Sequence, residues 1–202
     1  MPAGSTGRDQ PRRRAILEAT VRLLGAEGVG EITHRRVAAE AGVPLAATTY
    51  YFESKDDLLQ QALDVVVAGE FERLAEHAAR AGKEFSSPGA LGRALAAVLI
   101  DHVEHERDTL LTKFDVYLAS ARRPSLRPAS RQWIESFTGL AEAALEAAGA
   151  PQPAESARLL VAGADGLLIH HLATSGAEAD THALRGRLER LAESLVGAGA
   201  PA

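Results

Sequence analysis

Apolar residues along this chain recur every three or four positions, with no sustained alternation of period two, so the pattern predicts helices throughout. The one β-branched cluster, Val65-Val66-Val67, sits inside such a 3.6-residue pattern. A first helix is predicted over residues 12–26, with Ile16, Ala19, Leu23 and Leu24 on one face and Gly28 just past its end. Thr33 is placed to cap a short second helix over 34–41, which Gly42 stops. Pro44, at a first-turn position, opens a third short helix that reaches Tyr51. Ser54 and Asp57 have capping-box spacing at the start of a long fourth helix, 54–82, striped by Leu58, Leu59, Ala62, Leu63, Val66 and Leu74. Five more helices are predicted over 88–105, 107–121, 125–148, 154–174 and 182–196. Short Pro- or Gly-containing joints separate them, as antiparallel neighbours in a bundle require.

Composition agrees with an all-α reading of about nine helices. Aromatic residues make up only 4% of 202 residues and alanine is abundant, which suits helices packed through small side chains. The chain has no cysteine, so disulfides, thiolate zinc sites and thiol nucleophiles are excluded, in keeping with a reducing cytoplasm. The longest wholly apolar run, Ala94 to Ile100, ends at Arg93 and Asp101, far short of the ~20 residues that span a bilayer. The first fourteen residues carry charge but no apolar core, so no secretory signal is read there and no membrane partner is expected. The domain reading is a disordered arm over 1–11, a head over 12–53, a helical body over 54–197 and a flexible tail over 198–202.

Charge is unevenly spread. Residues 1–55 carry eight Arg or Lys against six Asp or Glu, while residues 56–202 carry fourteen against twenty-one. A mildly basic head on an acidic body suits local recognition of a polyanion. The informative segment is ITHRRVAAEAGVPLAATTYYFESKDDLL, residues 32–59. Two short helices joined at Gly42 form a helix-turn-helix, whose second helix fits a major groove ~12 Å wide. Val37, Ala38, Ala41, Val43 and Phe52 supply the side that packs on the first helix. His34, Arg35 and Arg36 lie in one helix's first turn and Lys55 in another's, where cations are disfavoured unless a phosphate is brought alongside.

The order and spacing of ILEATVRLLGAEG, of Thr33 with VAAEAGV, and of YYFESKDDLL give residues 16–63 a resemblance. This stretch resembles the N-terminal domain of the tetracycline-repressor (TetR) family of bacterial transcription regulators. The resemblance implies that His34 and Arg35 face DNA, that Leu45, Ala46, Ala47, Thr49 and Tyr50 line the groove side of the third helix, and that Tyr51 and Lys55 hold phosphates. Where the family usually has Gly-Thr-Leu-Tyr, this chain has Ala46-Ala47-Thr48-Thr49, with the tyrosines displaced to 50 and 51. The third helix also lacks Arg, Lys, Asn and Gln, so bidentate base contacts must come from elsewhere or be replaced by methyl contacts and DNA shape. Arg12, Arg13 and Arg14 are read either as a minor-groove arm or as a solvated helix start.

The body carries no nucleophile elbow, P-loop, dinucleotide fingerprint or HExxH. Phe114 and Tyr117, and Trp133 and Phe137, are three and four residues apart, so each pair shares a helical face. With His102 and Asp165 they are the candidate lining of a site for a small apolar or amphipathic effector, the alternative being ordinary core. His102 and His105 at i, i+3 also raise a metal site, although further ligands are needed and none is assigned. No cofactor is expected. Leu159, Ala162, Gly163, Gly166 and Leu167, with Leu184, Leu188, Leu191 and Leu195 on the last helix, form a seam. The resemblance implies that it pairs with a second copy in a four-helix bundle. A homodimer presents two heads ~34 Å apart to a palindromic operator in double-stranded DNA. The resulting expectation is a DNA-binding repressor released by a small molecule. A regulator without an effector and an all-helical metal-dependent enzyme are the alternatives.

Overall fold

The computed structural model describes residues 9–81, 88–176 and 180–197, and their side chains except at 9, 74–81, 88 and 197. Among the described residues the elements are α1 (Asp9–Glu27), α2 (His34–Glu40), α3 (Leu45–Tyr51), α4 (Lys55–Ala81), α5 (Pro88–His105), α6 (Arg107–Arg122), α7 (Arg127–Ala147), α8 (Pro153–Thr174) and α9 (His182–Gly197). Single 3-10 turns, Val29–Glu31 and Pro124–Leu126, precede α2 and α7. The helix set follows the sequence pattern closely, with two shifts. Helix α1 begins at Asp9 rather than Arg12, so residues 9–11 are helical and not part of an arm. Pro11 is accommodated there because first-turn N–H groups have no intrahelical acceptor to lose. Helix α7 begins at Arg127, after a 3-10 turn opened by Pro124. Residues 1–8 and the tail 198–202 lie outside the described residues. No described helix is long and apolar enough to cross a membrane.

The chain divides into two compact units, residues up to Gly69 with Asp108–Arg131, and Glu70–Arg107 with the residues from Gln132. The first unit is thus larger than residues 12–53: it takes in the first half of α4, nearly all of α6 and the start of α7. Its core joins Ile16, Ala19 and Leu24 of α1, Val37 and Ala38 of α2, Phe52, and Leu58, Leu59, Ala62 and Leu63 of α4. The α4 stripe continues through Val67, with Val66 only half-buried. Leu74, the last position of the expected stripe, has a side chain outside the described ones.

In the second unit Leu91, Leu145, Ala157, Leu160, Ala192 and Val196 form a core shared by α5, α7, α8 and α9. Helices α5 and α9 approach backbone to backbone: a Cβ on Gly92 would lie 3.0 Å from the Glu189 carbonyl oxygen and 3.3 Å from its Cα. That approach decides where the leucine seam of α9 goes. Leu184 and Leu188 are buried inside their own chain, and Leu191 and Leu195 pack half-buried on the same core. A Cβ on Gly163 would lie 2.8 Å from the Leu191 side chain, so this glycine too serves an internal contact. Each fully buried leucine contributes roughly 1.5–3 kcal/mol. Of the residues expected at a dimer seam, Leu188 is thus fully buried within the chain, while Leu191, Leu195 and Gly163 are half-buried. On α8, Leu159 remains 53% exposed, Ala162 is exposed, and a Cβ on Gly166 would meet nothing within 4 Å.

Candidate nucleic-acid interface

The helix-turn-helix is set by hydrogen bonds between near neighbours. The Thr33 hydroxyl accepts from the Arg36 N–H at 3.2 Å and caps α2. At the other end Gly42 has φ +64°. The Val43 N–H donates to Ala38 and the Gly42 N–H to Ala39, at 3.0 and 3.2 Å, a Schellman closure that calls for glycine at the left-handed position. Pro44 caps α3 from just outside, with φ −60°, one position earlier than a first-turn residue. At the start of α4 the Asp57 N–H donates to Ser54 Oγ, and the Glu53 N–H donates to Asp57 Oδ2, both at 3.0 Å. The expected capping box is closed, with its return bond one residue upstream.

Around this turn most cations are already paired. Arg36 binds Glu27 and Glu31, Arg22 reaches Glu40 at 2.9 Å, and Arg14 reaches Glu18 at 2.7 Å. Arg13 stacks 5.8 Å over the Phe52 ring and binds Gln61. Helical and engaged in this way, Arg13 and Arg14 do not form an extended arm. Arg35 is different: it is exposed, and its side chain makes no hydrogen bond or ion pair among the described residues. His34 is half-buried beside it.

On α3, Leu45, Ala46, Thr49 and Tyr50 are exposed, Ala47 is half-buried, and Tyr50 reaches 76% exposure. Thr48 is buried, its hydroxyl donating to the Leu45 carbonyl at 2.8 Å, and Thr49 donates to the Ala46 carbonyl at 3.2 Å. Tyr51 is half-buried, edge-on to Tyr50 with ring centres 5.0 Å apart. Tyr50 thus offers the outward phenol, and Tyr51 leans back on it. Lys55 Nζ donates to the Gly30 carbonyl at 3.3 Å. Burial and then the Arg123 charge hold its pKa below the usual lysine value, against the opposing effect of Asp56 and Glu31.

The candidate effector residues fall in both units. In the first, Phe114 and Tyr117 meet edge to face with centres 6.2 Å apart. The ammonium of Lys113, a residue only 4% exposed, stands 5.3 and 5.7 Å from the two rings. In the second, Trp133 is fully buried, and Phe137 and Asp165 are half-buried. His102 is buried with Nδ1 2.9 Å from the Val98 carbonyl and Nε2 2.9 Å from Glu70 Oε2. Both ring nitrogens thus have an oxygen partner within the protein. Glu70 also binds Arg73, whose other nitrogen is 2.5 Å from Glu106. His105 is exposed and pairs with Asp101 instead, so the two histidines of the i, i+3 pair take separate partners. Among the described residues no group of three or more His, Cys, Asp or Glu side chains is placed to hold a metal ion. Lys113 and Glu70 carry no local sequence signal: each looks like a surface charge, and its partners are set by tertiary packing.

Comparison with known proteins places this architecture. Residues 16–62 match the description "bacterial regulatory proteins, tetR family", and residues 86–197, more than half the chain, match "tetracyclin repressor-like, C-terminal domain". The transcriptional regulator BetI 1 of Chromohalobacter salexigens is 27% identical over 173 residues, covering 84% of this chain and 83% of its own. The solved multidrug binding protein EbrR, complexed with ethidium, is 36% identical, covers 89% of this chain and 98% of its own, and superposes with a TM-score of 0.70. SCO1917 of Streptomyces coelicolor A3, a TetR-family member, is also 36% identical, with coverage of 89% and 97% and a TM-score of 0.69. With its helix-turn-helix and all-helical body both matched, the chain belongs to the TetR family of bacterial transcriptional regulators.

Proposed function

We propose that this protein is a homodimeric repressor that holds a palindromic operator through α2 and α3 and is released when a small apolar or amphipathic effector binds its body. The observation that carries the reading is the exposed set Arg35, Leu45, Ala46, Thr49 and Tyr50 on the helix-turn-helix, where the neighbouring Arg36 is neutralised by Glu27 and Glu31. Arg35 supplies a charge to phosphate or a fork to guanine, while Leu45 and the alanines suit thymine methyls. Tyr50, Tyr51 and Lys55 stand beside them for the phosphate backbone. A seven-residue reading helix is too short to select a site alone, and pairing supplies a second copy of it. The strip of exposed Leu159 and Ala162, with half-buried Gly166 and Leu167, is the surface we assign to that pairing. These residues leave the leucines of α9 to the internal core.

The effector reading draws support from EbrR, solved with ethidium and with proflavin. The Phe114–Tyr117 pair offers aromatic faces for a flat molecule. Effector binding then shifts the population toward a conformation with lower operator affinity. A role on DNA places the protein in the cytoplasm, and regulation rather than catalysis is its proposed work.

Titration of a labelled fragment from upstream of its own coding sequence tests the DNA-facing assignment. Arg35→Ala is expected to lose about 1–3 kcal/mol of binding, more than any single change at residues 45–47. Arg36→Ala, which removes internal ion pairs, is expected to change operator affinity less. Equal loss at Arg35 and at Ala46 or Ala47 would remove Arg35 from the interface.

A further inference from the structure

We infer that Asp115 is the positioning residue through which α6 holds the turn in front of the helix-turn-helix, giving the body a route to the DNA-binding surface that does not run along α4. The Val29 N–H donates to Asp115 Oδ2 at 2.5 Å, across 86 residues of sequence. This N–H opens the 3-10 turn Val29–Glu31, and Gly28 before it has no side chain with which to cap the turn. Helix α6 supplies the missing acceptor. Gly28 sits at φ +81°, and a Cβ there would lie 2.8 Å from the same carboxylate oxygen. The site is therefore shaped for this one contact from both sides.

Two further contacts bind the same segment to the head. A Cβ on Gly25, near the end of α1, would lie 3.2 Å from Asp108 Cβ in the first turn of α6. Ser125 Oγ, in the 3-10 turn after α6, donates to Asp56 Oδ2 at 2.6 Å. The start of α6, its middle and the turn beyond it each touch the head, which agrees with their place in one compact unit. The capped turn runs through the fully buried Ile32 into Thr33, the cap of α2. Arg35 follows two residues later. Moving Asp115 therefore moves the start of the helix that carries Arg35.

Asp115 lies about 200° around α6 from Lys113, at 100° per residue, and Phe114 and Tyr117 flank it in sequence. A molecule that displaces the aromatic pair rocks α6, and the carboxylate on its far side passes that motion to the turn. The inference rests on the DNA-binding reading above, and coupling of this kind is reciprocal: what α6 does to the head, DNA at the head does to α6.

Hydrogen exchange on the full-length protein, free and saturated with upstream promoter DNA, tests it without any effector. In the wild type, DNA is expected to slow exchange in α6 residues 110–118 by about fivefold or more, the lower end of allosteric coupling. Asp115→Ala is expected to abolish that slowing and to speed exchange at Val29, while the protein still binds DNA. Asp115→Asn, which keeps an acceptor oxygen, is expected to restore most of it. Slowing of α6 that persists in Asp115→Ala, or is absent from DNA-bound wild type, overturns the coupling alone. Wild-type protein that binds no DNA overturns the repressor reading and the coupling with it.

Discussion

Adjacent arginines meet opposite fates at the start of α2. Arg36 is tied to Glu27 and Glu31, whereas Arg35 stands free of the described residues. Nothing in the run His34-Arg35-Arg36 announces which will be spent internally, because the deciding carboxylates come from the end of α1 and the following turn. What was legible at this scale is what closes locally. Thr33 with Arg36, Gly42 with Ala39, and Ser54 with Asp57 are all joined within three residues. Asp115 with Val29 and His102 with Glu70 lie 86 and 32 residues apart, and only packing brings them together. The two positive-φ glycines of the head show the difference energetically, Gly28 with ψ 173° lying in a region open essentially to glycine alone. Alanine at Gly42 meets open space, so it costs only the left-handed strain, roughly 1–2 kcal/mol. Alanine at Gly28 adds a clash with Asp115 and disturbs a charge-assisted hydrogen bond of about 1.5–3 kcal/mol. Denaturant unfolding is expected to show the larger loss for Gly28→Ala, from its backbone conformation and the Asp115 clash together; equal losses would mean that neither adds a cost there.

Helix identities and ends were readable because periodicity, caps and breakers act within a few residues. The destination of an amphipathic face was not. The α9 leucines recur at the spacing of a partner seam, yet the same spacing serves an internal contact equally well. A single glycine, Gly92 on α5, lets the α9 backbone come close, on the side where Leu188 is buried. Comparing two glycines tests this. A methyl on Gly92 strikes the backbone of Glu189, which cannot turn aside. Overpacking of that kind costs about 1–3 kcal/mol. A methyl on Gly163 strikes only the end of the Leu191 side chain, and alanine's better helix propensity, worth ~1 kcal/mol, offsets the adjustment. Thermal unfolding is therefore expected to show Gly92→Ala clearly destabilised and Gly163→Ala near wild type. The reverse order would place the critical approach at α8 rather than α5.

For the whole molecule, an acidic body behind a mildly basic head confines attraction for DNA to the helix-turn-helix. One such head presents one seven-residue reading helix, and selectivity comes from using it twice. The family and its helical architecture were legible from about fifty N-terminal residues. Which leucines face outward was not legible: Leu159 is exposed and Leu188 fully buried, while Leu191, Leu195 and Gly166 are half-buried. The body's candidate aromatics could be named but not grouped, because helical spacing says which residues share a face and not which faces meet. Nuclease footprinting across the DNA upstream of its own coding sequence, at low salt and with no added small molecule, tests the central claim most directly. Two protected stretches related by a dyad are expected, their centres about 10 base pairs or ~34 Å apart. Uniform cleavage across the region at saturating protein would contradict it.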